Sequence, residues 1–231
     1  MAFSRTLLPG PRPDADQLTA DMVGIGMRFA AAPNRHANIE DTLIHASEVG
    51  MGEDDLRVLS VLTTWFGVHH ARVNADRLVR VLEQHPSRRV RAYWASIAAW
   101  QEKDRRLKRL VVGHEGEPVD LLSVGTDFQI LRRGEDERFA GTAVRVPAGT
   151  LRDRAADVLS AELLIRQHAG YRNRVHMGPS WRSDLWTLLE RDPDLRVAEL
   201  ARRAYCSFAT AWQVAQDFGL IRRAQEETRV A

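Results

Sequence analysis

The chain has 231 residues, with 44% hydrophobic and 28% charged side chains and a formal net charge of +2, which excludes disordered and fibrous classes and leaves room for one large core or two modest ones. No run of eighteen apolar residues occurs, and the opening MAFSRTLLPGPRP is too short in apolar residues for a signal peptide or a membrane span, so a cytoplasmic chain with no membrane partner is expected. The one cysteine, Cys206, excludes an intramolecular disulfide, agrees with a reducing compartment and reads as a small packed side chain.

Residues 1 to 13 are Pro-rich and read as a flexible arm. From Asp14 the positions of Leu18, Met22, Ile25 and Phe29 predict a helix that runs until Pro33, with Gly24 and Gly26 marking close packing, since no strand precedes them to make a ligand loop. Asn38 can cap a second helix carrying Leu43, Ile44 and Val49 and closing near Gly50 and Gly52. Asp54 or Asp55 starts a third, with Leu56, Leu59, Leu62, Trp65 and Phe66. Asn74 caps a fourth, with Leu78, Val79 and Leu82 before Pro86, and Ser87 a fifth through Tyr93, Trp94, Ile97 and Trp100. Short connections make residues 14 to 112 a helical bundle domain. Its aromatic residues Trp65, Phe66, Tyr93, Trp94 and Trp100 exceed what one small core holds, which predicts a homodimer joined through residues 14 to 100.

Residues 86 to 112 carry a net +6 through Arg88, Arg89, Arg91, Lys103, Arg105, Arg106, Lys108 and Arg109. Two readings stand side by side: a face contacting phosphates, or a solvated helix surface whose Tyr93, Trp94 and Trp100 are core. The Gly-, Pro- and charge-containing stretch Val111 to Pro118 is the expected domain boundary. Beyond it, Phe128 to Leu131 and Ala143 to Val146 have strand length, with Arg132 to Arg138 as a solvated hairpin tip. Residues 155 to 168 read as a helix, and Tyr171 to Pro179 as a basic connector bearing Arg172 and Arg174. Together, residues 113 to 179 form a β-containing connector and helix.

Residues 180 to 231 predict three short amphipathic helices. Ser180 caps the first, whose inward face is Trp181, Leu185, Leu188 and Leu189, and Asp192-Pro193-Asp194 stops it. The second buries Val197, Leu200, Ala201 and Ala204. After the turn Tyr205-Cys206, Ser207 caps the third, with Ala211, Val214, Ala215 and Phe218 inward and Gly219 as its end. This leaves Phe208, Thr210, Trp212, Gln213 and Gln216 outward, where Gln and Thr can read base edges. The segment is electrically neutral, so phosphate contacts must come from flanking arginines.

On Val197, Glu199, Leu200, Ala201, Ser207, Gly219, Leu220 and Ile221 the segment resembles the helix-turn-helix and winged-helix DNA-binding regulators, over about a fifth of the chain. With twelve residues after Gly219, at most a short wing follows. Joined to the helical and strand-length patterns upstream, this gives a mainly α protein with an N-terminal helical bundle, a small β-containing connector and, as the resemblance implies, a C-terminal helix-turn-helix. Its partner would be double-stranded DNA, bound as a homodimer through Arg172, Arg174, Arg182, Arg202, Arg203, Ser207, Phe208, Thr210, Trp212, Gln213 and Gln216. Phosphates would be met by Arg88, Arg89, Arg91, Arg105, Arg106, Lys108 and Arg109. In architecture the chain also resembles regulators or antitoxins of toxin-antitoxin and phage-defence loci. The implied function is sequence-specific transcriptional regulation; the alternative is a protein-interaction subunit that binds a partner such as a toxin and no DNA.

No catalytic group, metal or cofactor is expected. The eight histidines show no i, i+4 pair with a carboxylate between them, and His69 and His70 point to different faces of their helix. There is no strand-to-helix glycine loop for phosphate and no nucleophile elbow.

Overall fold

The computed structural model describes residues 12 to 230, which form twelve α-helices and one two-stranded sheet. The first five helices start where their polar caps stand. The side chains of Asp14, Asn38, Asp55, Asn74 and Ser87 accept backbone N–H groups at the heads of α1 (Ala15–Gly24), α2 (Ile39–Gly52), α3 (Leu56–His69), α4 (Ala75–Glu83) and α5 (Arg88–Trp100), satisfying donors that the helix itself leaves free.

α1 is shorter than its apolar spacing suggests. Gly26 has φ 97°, a conformation that ends a helix at little cost only for glycine. The chain beyond it pairs instead with the 157 to 159 segment, through Arg28 N–H to Asp157 O at 2.8 Å and Leu159 N–H to Gly26 O at 2.8 Å. Gly24 faces the backbone of Asn34, whose oxygen would lie 1.9 Å from any added Cβ. That glycine serves close backbone approach.

The middle of the chain departs further from expectation. Residues 128 to 131 are not a strand but part of α7 (Thr126–Arg133), which follows α6 (Lys108–Val112). Gly125 and Gly134, both at φ 80°, bound a run too short for helical periodicity to show, and Phe128 and Leu131 lie exposed on it. Of the second expected strand, Val144–Arg145 forms β2, pairing in parallel with β1 (Val119–Asp120), so no hairpin forms there and Arg132 to Arg138 is not its tip. The expected helix over 155 to 168 is a 3-10 turn at Ala155–Asp157 followed by α8 (Ala161–Gln167), and the expected connector is α9 (Ala169–Met177).

No core boundary falls at residue 113. One apolar core runs from Leu18 to Tyr171 and takes in Leu121, Phe139, Val144, Val146, Leu151 and Leu164 along with the first five helices. Trp65, Phe66, Tyr93 and Trp94 are consumed inside it, and Trp100 packs half-buried against its edge. Trp65 donates to Ile25 O at 2.7 Å, Trp94 to Ser47 Oγ at 2.9 Å, and Tyr93 and Thr63 share a hydroxyl contact at 3.0 Å. Both the apolar body and the polar tip of each ring are satisfied within one chain, so these aromatics give no ground for a dimer through residues 14 to 100.

A second, smaller core lies between α10 (Trp181–Arg191), α11 (Val197–Arg203) and α12 (Phe208–Val230), built on Leu185, Leu189, Leu200, Ala201, Ala204, Cys206, Ala211 and Val214. Rather than stopping at Gly219, α12 continues through it to Val230, and no wing strand occurs among the described residues. A glycine inside a helix costs about 1 kcal/mol relative to alanine. No proline follows to stop the chain, and the Arg222–Glu226 pair one turn on, at 2.9 Å, favours continuation.

Candidate nucleic-acid interface

The small core fixes how α11 and α12 meet. Ala201 on α11, Ala204 just past its end and Ala211 on α12 are fully or nearly buried, and side chains this short let two helix backbones come close. The chain then reverses within Tyr205 to Ser207. Tyr205 takes φ 57°, unusual for a bulky residue, while Cys206 N–H closes the turn onto Ala201 O at 3.0 Å. The Tyr205 ring lies 4.0 Å beneath the guanidinium of buried Arg77, and its hydroxyl donates to Asp41 at 3.3 Å. These contacts hold the left-handed turn in place. Ser207 then caps α12 by accepting Thr210 N–H at 3.1 Å.

The outward face of α12 carries Phe208 and Trp212, 52% and 51% exposed, with Gln213 and Gln216 exposed beside them. Thr210 is placed differently from expectation. Its hydroxyl bonds Ser207 Oγ at 2.8 Å, so it completes the cap. Further along the helix, Leu220 and Ile221 are also exposed.

The arginines around this face are largely neutralised by neighbours. Arg202 and Arg203 both bond Glu199, Arg182 bonds Asp217 at 2.6 Å, and Arg172 reaches Glu190 at 3.3 Å. The two charge-assisted bonds hold the Glu199 carboxyl down at about 2. No ion pair is formed by Arg191, Arg196 or Arg223 among the described residues.

Arg174 overturns its expected role. It is 2% exposed, with Nη1 and Nη2 on Glu40 at 2.7 and 2.8 Å and Nε on Asp184 at 2.9 Å. Burial alone would push the Glu40 carboxyl up, but Arg174 and then Arg77 hold it below its ordinary value. This cluster ties α2 and α9 to α10, and Asn74 adds a bond to Asp184 at 3.1 Å. Arg174 therefore joins the two cores and cannot meet a phosphate. Beside the cluster, a cavity of about 200 Å³ is edged by Arg35, His36, Arg191 and Arg203.

In residues 86 to 112, part of the positive charge is also taken up by neighbours. Arg89 pairs with Asp54 at 3.1 Å, and Arg106 wraps Asp104 while bonding His70 O and Val73 O. Arg88, Arg91 and Arg109 gather at a separate pocket, and Arg105 and Lys108 stay exposed. Tyr93 and Trp94 are core.

No protein-family model matches the chain, and no curated protein or solved structure matches it. Among the described residues no cluster of three His, Cys, Asp or Glu is placed to hold a metal ion, and no helix is long and apolar enough to cross a membrane. His69 is a core histidine, in contact with Tyr171 Oη at 2.8 Å and Leu159 O at 3.0 Å. Burial depresses its pKa.

Glu40, Asp41, Arg77 and Tyr205 were invisible as a group from the sequence. Acidic residues in the first turn of a helix ordinarily complement its dipole in solvent. Only the packing of α9 and α10 over α2 shows that Glu40 is a buried anchor and Asp41 a half-buried one.

Proposed function

We propose that the C-terminal unit is a helix-turn-helix that binds duplex DNA, with the first half of α12 entering the major groove and the chain acting as a cytoplasmic transcriptional regulator. The observation that carries this reading is the close pairing of α11 and α12 through Leu200, Ala201, Ala204, Ala211 and Val214 across a four-residue turn. That pairing turns Phe208, Trp212, Gln213 and Gln216 outward together. Gln213 and Gln216 lie three positions apart on one face and have amides free to read adenine, while the aromatic pair suits thymine methyl groups and sugars. Because Thr210 is engaged in the cap, the base-reading pair is Gln213 and Gln216.

The test is binding to a site selected from random duplexes. Replacing Gln213 and Gln216 together by alanine relaxes sequence preference, since each well-formed bidentate bond to a base supplies about 1 to 3 kcal/mol of discrimination, and leaves stability unchanged. A double variant with the parent's full discrimination overturns the assignment.

A second reading has its own observation. Phe208, Trp212, Leu220 and Ile221 are all exposed along α12, and most arginines near them are spent on carboxylates. Exposed apolar side chains with little free charge beside them fit a protein partner better than a polyanion, as in an antitoxin or defence-complex subunit. Retention on duplex DNA that falls steeply with salt supports the regulator; indifference to DNA at low salt supports the protein-binding subunit. Under the DNA reading the first half of α12 alone addresses too few base pairs to select one genomic site, so the chain acts as a two-fold dimer. Of the exposed apolar residues, Leu220 and Ile221 lie on α12 just beyond the reading residues, and we place the contact between two copies there.

A further inference from the structure

Arg88, Arg91 and Arg109 line a polar pocket of about 350 Å³ at the junction of α4, α5 and α6, together with Glu83, His114 and Glu115. The volume falls within the range of small-molecule sites, about 300 to 1,000 Å³. Three features of the pocket point to an anion.

First, Arg88 and Arg91 stand in the opening turns of the thirteen-residue α5, which has no acidic residue there. Cations at the positive end of a helix repel its dipole, and an anion relieves both. Second, these two arginines are fixed without being neutralised. Arg88 donates to Glu117 O, and Arg91 donates to His85 O and Pro86 O, so neutral carbonyls orient the guanidinium groups and leave their charge uncompensated. Arg109 is the exception, paired with Glu83 at 2.7 Å. Third, the ring nitrogen Nε2 of the half-buried His114 is shielded from solvent and has no hydrogen-bond partner. Burial, followed by the charges of Arg88 and Arg91, lowers its pKa. Gly116, at φ 105°, brings the loop backbone against Arg88, where an added Cβ would lie 3.0 Å from Nη2.

We propose that this pocket binds the terminal phosphate of a phosphorylated small molecule, held by Arg88, Arg91 and Arg109 and by a hydrogen bond from His114 Nε2. Planar guanidinium groups match the oxygens of a phosphate dianion in paired, charge-assisted bonds. Of the two lining carboxylates, Glu83 is held by Arg109, which leaves Glu115 at the rim. A lone phosphate does not fill this volume, so the organic part of the ligand occupies the remainder. The assignment is independent of whether α12 binds DNA.

The test follows the His114 ring resonances of the full-length protein by NMR at constant ionic strength set with chloride. The additions are adenosine 5′-monophosphate, inorganic phosphate, adenosine and a short duplex. The nucleotide is expected to raise the His114 pKa by about one unit, as a bound dianion offsets the arginine charges. Phosphate should act more weakly, and adenosine not at all. Arg88→Gln and Arg109→Gln should each weaken nucleotide binding about tenfold, the effect of removing one charge-assisted bond. Arg109 is 63% exposed in its side chain, so that variant reports even where Arg88→Gln perturbs folding. The proposal is overturned by a His114 titration unmoved by the nucleotide, by an equal response to adenosine, by phosphate binding as tightly as the nucleotide, or by a response to the duplex alone.

Discussion

Arg174 shows how burial decides the role of a single side chain. In water an arginine before a DNA-binding segment is a phosphate contact; here it lies between Glu40 and Asp184 with every bond charge-assisted. Removing one member of such a set strands a buried charge, so Arg174→Met should cost about 3 to 5 kcal/mol in urea unfolding. Arg172→Ala, which breaks a half-exposed pair with Glu190, should cost less than about 1 kcal/mol. Equal losses would show that the buried cluster is not a structural anchor. His168 makes a second prediction at this scale. It caps α9 by accepting Tyr171 N–H at 2.9 Å, which leaves its Nε2–H to donate to Ala37 O at 2.9 Å. Burial first, with Arg174 and His36 adding, pushes its pKa down to about 4. The unfolded chain, near 6.5, then binds the proton that the folded chain refuses. The stability this contributes is fully present above pH 6.5 and is lost as pH falls toward 4, by about 3 kcal/mol. In His168→Asn, which keeps an acceptor and a donor, stability measured across that window should fall less steeply than in the parent. Parallel curves would assign the proton uptake to other groups.

Helix limits depend on what the ends do, and α12 illustrates this. Capping side chains mark helix starts reliably because they bond their own helix, as Asp14, Asn38, Asn74, Ser87 and Ser207 all do here. Glycine marks an end only when the chain has somewhere to turn. Gly26 turns the backbone into pairing with Leu159, whereas Gly219 meets no competing structure and remains helical. Gly219→Ala places its Cβ 3.5 Å from Arg223 Nη1, an ordinary contact. It should strengthen the outer half of α12 by about 1 kcal/mol. Since residues 220 to 228 lie outside the second core, the gain should appear as roughly fivefold slower amide exchange there, with little change in global unfolding. Unchanged exchange would mean that the end of α12 is not held as a helix in solution.

At the scale of the molecule, the two cores are joined by the Glu40–Arg174–Asp184 cluster and by the stacking of Arg77 on Tyr205. The turn proposed to set α12 against DNA thus rests directly on the larger body. The larger core draws on residues as far as Tyr171, so a fragment ending near residue 112 would lack part of its own interior. Assembly is better tested on the full chain. The proposed dimer should sediment at twice the chain mass at tens of micromolar, and Leu220→Glu with Ile221→Glu should halve it with the circular dichroism spectrum preserved. A monomeric parent removes the two-fold reading, and a variant that remains dimeric moves the interface away from α12.

What the sequence determined by itself was local: the capped starts of α1 to α5, the three amphipathic helices of the C-terminal unit, and the inward set Leu200, Ala201, Ala211 and Val214. These are properties of a residue and its neighbours within about two turns, where helical periodicity and capping chemistry act. Tertiary structure decided the rest. It turned the 128 to 131 run into a helix, drew β1 and β2 into parallel pairing across a long connection, and carried one core through the apparent boundary at 113. It also drew Arg174 inside and set Thr210 into a cap. Each of these outcomes depends on partners distant in sequence or on the choice between equivalent local bonds. Burial and pairing energies of several kcal/mol outweigh the local propensities, at under about 1 kcal/mol per residue, that a linear reading can sense.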